Sequence, residues 1–200
     1  IEKKKYYDWE TPSGYGGPLD DKIISTESQR IFADEIKQYC IENGVVSQFV
    51  RFHPLLNNQN MLSNVIESRY LRDTIYMDVD IDEKQIFANL DSKNRNMVRK
   101  AQKNDVIIEQ REIEEIDDFI DIYNETMIKN QAAKYYIFEK EYFDSLNEMK
   151  DNVCLFYAMR RNVPISGAII YYNSEFAHYH LSGSKTEFRK YSPSNLLLYQ

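Results

Sequence analysis

The sequence predicts an α/β protein of the α+β kind with mixed sheets, and three observations predict it. Hydrophobic spacing switches repeatedly between the helical period and the two-residue period of strands. From residue 106 onward the elements run strand, helix, helix, strand, strand, strand, helix. Short polar punctuation, Asn162-Val163-Pro164 and Asn173-Ser174, separates the last strands.

Taken in order, residues 6–10 read as a short strand. Pro12, Gly14, Gly16, Gly17 and Pro18 make residues 11–20 a loop. Thr26 and Gln29 have capping-box spacing, and Phe32, Ile36, Tyr39 and Cys40 repeat behind them at helical period until Gly44. Residues 45–52 form a strand with Val46, Val50 and Phe52 on one face. Residues 64–71 and 74–79 read as two strands joined at Arg72-Asp73. Asp82 and Gln85 cap one helix whose buried side is Ile86, Leu90, Met97 and Ala101. A short strand at 106–110 precedes helices at 113–129 and 138–149. Ile116, Phe119, Ile120, Tyr123 and Met127 form the apolar stripe of the first of these. Strands follow at 153–160, 165–173 and 175–182, and a last helix begins at Pro193 and is still running at Gln200.

Composition narrows the function classes. A chain of 200 residues makes one large domain or two small ones, with 42% hydrophobic and 28% charged residues, as in soluble globular proteins. The formal charge of −7 supplies no global attraction for DNA or anionic lipid, so any RNA contact must be local. There is no apolar run of membrane-spanning length and no signal peptide, as expected of a cytoplasmic protein. The first residue is Ile1, as expected of a trimmed segment. Cys40 and Cys154 read as buried free thiols of a reducing compartment. The 16 Tyr and 10 Phe beside one Trp suit polar or ring-shaped ligands, or fill strands.

Five constellations are candidates for chemistry. In Ser13-Gly14-Tyr15-Gly16-Gly17-Pro18 the glycines allow close backbone approach, but no Lys-Ser/Thr follows as in a phosphate loop. Arg51 and His53 end a strand, where Arg51 can fork onto a phosphate or carboxylate and His53 can cap a turn. Lys93, Arg95, Arg99, Lys100 and Lys103 form a basic helix face, suited to phosphates or to pairing with the acids of residues 109–118. His178 and His180 share one strand face, with Tyr179 opposite. Zinc takes three or four ligands and His53 is the one other histidine, so a base or hydrogen-bonding role is read in place of a metal. The loop 183–193 carries Lys185, Arg189 and Lys190 but no second glycine, which argues against a backbone nest for pyrophosphate.

Gly14-Tyr15-Gly16-Gly17-Pro18, Arg51-Phe52-His53-Pro54-Leu55, Lys93-Asn94-Arg95-Asn96, Ala177-His178-Tyr179-His180-Leu181 and Ser192-Pro193-Ser194-Asn195, in that order, resemble the FemABX-like family. The resemblance implies two tandem GNAT-like acyltransferase domains, here 1–105 and 106–200, the second lacking its last elements. It implies transfer of an aminoacyl or acyl group to an amine of a cell-wall peptide or amino-sugar precursor. No tightly bound cofactor is implied; aminoacyl-tRNA or acyl-CoA is the co-substrate. The tRNA-using members carry a helical arm with no counterpart here. The implied site lies between the halves. Tyr15, Gly16, Gly17, Arg51, His53, Arg95, Arg99, Tyr136, Tyr179, Ser192 and Asn195 would bind substrate, and His178 or His180 would take the proton. An acetyl-CoA-dependent acetyltransferase acting on a nucleotide-sugar is the alternative, and a non-catalytic binding module or fragment a second. The edge of strand 175–182 is left open to pairing with another chain.

Overall fold

A computed structural model describes residues 5–12, 14–19, 25–64 and 66–200. Two compact units emerge, Ile1–Met77 and Asp78–Gln200. The helices after Asp82 lie in the second unit and pack with its strands.

The second unit is organised by one strand. In β4 (Val153–Arg160) every residue faces alternately up and down. Val153, Leu155, Tyr157 and Met159 enter one buried cluster, while Ala158, with Phe156 against it, enters the other. A strand apolar on both sides must be covered on both. β4 sits inside an antiparallel sheet of order β3-β4-β5-β6, with β3 (Val106–Arg111), β5 (Val163–Tyr172) and β6 (Ala177–Ser184). The turn before β5 uses Arg161 and Asn162 at positive φ, and β6 is an edge strand.

One face of the sheet is covered by α4 (Asp117–Lys129) and α5 (Lys140–Ser145), through Phe119, Ile122, Tyr123 and Phe143. Phe119 and Phe143 are fully buried, each worth about 1.5–3 kcal/mol of transfer free energy. α3 (Ser92–Lys103) and α6 (Pro193–Leu197) cover the other face with Val98, Ala101, Leu196 and Leu197. Gly183 lets β6 lie against α4: a Cβ there would stand 2.8 Å from the Ile122 carbonyl oxygen.

The single helix expected from Asp82 to Ala101 is two. α2 (Glu83–Asn89) ends where Leu90 turns extended, and Asp91 starts α3 by accepting the Asn94 amide at 2.7 Å. The expected stripe broke because Asp91 competes for the backbone as a cap. The helix expected at 138–149 is α5 followed by a 3-10 stretch, Leu146–Asn152. The helix begun at Pro193 ends at Leu197.

In the first unit, β1 (Tyr7–Glu10) pairs in parallel with β2 (Val45–Phe49), across α1 (Thr26–Asn43). The cap of α1 is Ser25, not Thr26: the Ser25 hydroxyl accepts the Ser28 amide at 3.1 Å. Gly44 closes the helix at φ 70°, a left-handed value open to glycine. Phe32 and Tyr39, read as part of the helical repeat, remain exposed, since two strands offer a helix only a narrow face. Tyr39 instead packs on Trp9, with ring centroids 5.3 Å apart. The hairpin expected at 64–79 is absent among the described residues. Tyr70, Leu71 and Ile75 are exposed there, and Val65 lies outside the described residues, as do Ile1, Ser13 and Asp20. Both cysteines are free and half-buried rather than buried.

Candidate functional site

Within the second unit, the start of α3 and the start of α6 face each other across a groove of about 380 Å³. Lys93, Asn94 and Met97 line it from α3; Arg189 and Ser192 line it from the segment leading into α6, and Asn195 from α6 itself. Ser192 is buried and left-handed, at φ 56°, which turns the chain into Pro193, and proline at the first helical position presets the helix. The Asn195 amide donates to the Asn94 side-chain oxygen at 3.0 Å, and the Ser192 hydroxyl donates to the Met97 sulfur at 3.1 Å. Behind the groove, Ser166, Ser184 and Ser194 join their hydroxyls, and Ser166 donates to the Gly183 carbonyl at 2.7 Å.

On the α4–α5 face, His180 stacks on Tyr171 at 4.1 Å and shares a short hydrogen bond between its Nε2 and the Tyr142 hydroxyl. Tyr142 also meets the Tyr171 hydroxyl at 3.4 Å. Burial, and then the neighbouring His178, lower the His180 pKa to about 4. His180 is thus neutral at physiological pH, with Nε2 already engaged. Burial raises the pKa of Tyr142, so its hydroxyl keeps its proton. His178 lies 6.2 Å from His180, ring to ring, and is exposed. Tyr179 is exposed and hydrogen-bonds to Ser182.

Several predicted residues have structural tasks. Arg95 donates to the carbonyls of Ala88 and Leu90, closing the end of α2, and Arg99 lies 5.1 Å from the Phe87 ring centre. Of the acids of residues 109–118, Glu109 and Glu115 pair with Arg111, the latter at 3.1 Å, and Asp117 pairs with Lys140 at 3.6 Å. Tyr136 lies against Tyr135, with the rings tilted and their centroids 4.0 Å apart, and offers its carbonyl to the Tyr123 hydroxyl at 2.7 Å.

The glycine loop belongs to the first unit, with Arg51 and His53. Gly16 bridges to Phe52, and Gly17 is left-handed at φ 98°. Buried Asn58 ties this region together: it accepts the His53 amide at 2.9 Å and donates to the carbonyls of Gly16 and Pro18. His53 Nδ1 accepts the amides of Leu55 and Leu56, as a turn cap. Arg51 pairs with Glu10 at 2.8 Å. The Tyr15 hydroxyl meets Thr74 at 3.0 Å. Asn58, Tyr142 and Tyr171 escaped the sequence reading. Only Asn58, an Asn after a His-Pro turn, carried a local signal.

A family model described as peptidoglycan biosynthesis/recognition, FemAB-like, matches residues 18–189. The chain belongs to the FemAB-like family. The FemAB-like fold is seen again in the crystal structure of FemX, which is similar with a TM-score of 0.62 at 14% identity, over 86% of this chain. The chain spans 63% of the FemX chain. No curated protein is a significant match. Among the described residues, no helix of this FemAB-like chain is long and apolar enough to cross a membrane.

Proposed function

We propose that this FemAB-like chain belongs to an N-acyltransferase that moves an aminoacyl or acyl group onto an amine of a cell-wall peptide or amino-sugar precursor. The match to the peptidoglycan family over residues 18–189 carries the reading. Two tandem GNAT-like subdomains and a cytoplasmic site of action go with it. In the reaction the amine nitrogen attacks the donor carbonyl carbon and the ester or thioester bond to the carrier breaks. The amine loses a proton, and the carrier's oxygen or sulfur leaves protonated. Of the two histidines, exposed His178 is the one placed to accept that proton. His180, neutral and bonded to Tyr142, orients the strand face instead.

The test is acyl transfer by the protein at its natural length. Removal of a general base lowers turnover by about two orders of magnitude or more, and His178→Ala is expected to do so. His180→Ala is expected to lower it less. Unchanged transfer by the double variant removes both histidines from the chemistry. Calorimetric titration with acetyl-CoA separates the donors: micromolar binding favours the acetyl-CoA reading, and no binding favours aminoacyl-tRNA.

A further inference from the structure

We infer that the groove between α3 and α6 binds the phosphate of a nucleotide carrier, by side chains rather than by a backbone nest. The inference rests on the transfer reading above for its purpose but not for its geometry. Lys93 and Arg189 reach the groove from two different elements, and no acidic side chain lines it. Neither forms an ion pair among the described residues, although the chain as a whole carries −7. Two cations that converge without an ion pair among the described residues, in an acidic protein, suit a group with two negative charges.

Uncommitted donors add to them. Each side-chain amide has two N–H bonds, and the Asn195 amide spends one on Asn94. The Ser192 hydroxyl donates to a thioether, a weak acceptor that a phosphate oxygen readily replaces. The first-turn amide of α3 is already taken by Asp91, so the positive character comes from side chains. Gly183 is no substitute nest, because its missing Cβ serves the packing against Ile122. At about 380 Å³ the groove has the size of small-ligand sites, with room for a phosphate and the group attached to it.

The test titrates the chain with inorganic pyrophosphate, adenosine 3′,5′-bisphosphate and a ribotrinucleotide ending in CCA, followed by calorimetry at two salt concentrations. At least one nucleotide is expected to bind, more weakly at high salt. Lys93→Glu and Arg189→Glu should each weaken it about fivefold, and the pair more than tenfold. Both side chains are exposed, so a circular dichroism spectrum like that of the parent is expected. Ser192→Ala, which keeps both cations, should weaken binding by a smaller factor. Tighter binding of the bisphosphate indicates a soluble carrier; tighter binding of the trinucleotide indicates RNA. Binding of pyrophosphate alone overturns the nucleotide assignment. No binding, or binding untouched by the double reversal, overturns the site. Acyl transfer that survives the double reversal also rejects the groove while leaving the transfer reading intact. Nucleotide binding without transfer does the opposite.

Discussion

Replacing Tyr157 by Phe removes one oxygen and should cost the second unit several kilocalories. Tyr157 is 3% exposed. Its hydroxyl accepts the Phe119 amide at 2.9 Å and donates to the Glu115 carbonyl at 2.9 Å. α4 has no side-chain cap of its own: the residue before it is Ile116. The phenol of a central strand therefore does the work of a helix cap. Phenylalanine preserves the ring and its packing, so the change isolates the two bonds. A buried amide left without a partner costs about 1–3 kcal/mol, and the second bond adds about 1. The sum is about 2–4 kcal/mol. Urea denaturation followed by far-ultraviolet circular dichroism reads it. With a slope of about 2 kcal/mol per molar, the midpoint should fall by about 1–2 M. Hydrogen exchange at the Phe119 amide should accelerate with it. A change under about 0.5 kcal/mol, with that amide still protected, would refute the cap.

Acid should weaken the fold through His180. The unfolded ring binds a proton near pH 6.5 and the folded one near pH 4, so the unfolded state holds more protons between these values. Stability falls as pH drops through that window, by about 1–2 kcal/mol once partial solvent exposure is allowed for. His180→Gln should flatten the slope, and an unaltered pH profile would reject the account. Gly183→Ala forces a Cβ against the Ile122 backbone and should lower the melting temperature by several degrees, about 1–3 kcal/mol. Normal melting would show that β6 can shift from α4. Asn58→Ala strips partners from the His53 amide and from the carbonyls of Gly16 and Pro18. It should cost the first unit about 2–4 kcal/mol and speed exchange at His53, and protection equal to the parent's would contradict it.

The sheet of the second unit was legible because its signals are local. β4 was read with its observed limits, and β5 and β6 within about two residues, since alternation and turn residues are properties of neighbours. The break at Leu90-Asp91 was legible in principle, as Asp91 three residues before Asn94, but the apolar stripe outweighed it. Residues 64–79 alternate like a hairpin, yet alternation states only which residues share a face. The sequence does not say whether a partner strand stands opposite. At the candidate site, Ser192 and Asn195 were singled out and do line the groove. Arg95 and Arg99 misled because a cation on a helix looks the same in sequence whether it meets a ligand, a carbonyl or a ring. The Tyr142–Tyr171–His180 contact joins residues 29 and 38 positions apart, a separation at which no pattern survives.

The two-sided strand β4 has a consequence for cooperativity. Neither helical layer can leave the sheet without exposing one of its faces, and either loss loosens the strand that supports the other layer. Damage to Leu196 on one side should therefore be felt by Phe119 on the other, although they belong to separate clusters. The second unit should then open as one foldon, with hydrogen exchange on both faces of the sheet converging on a single free energy.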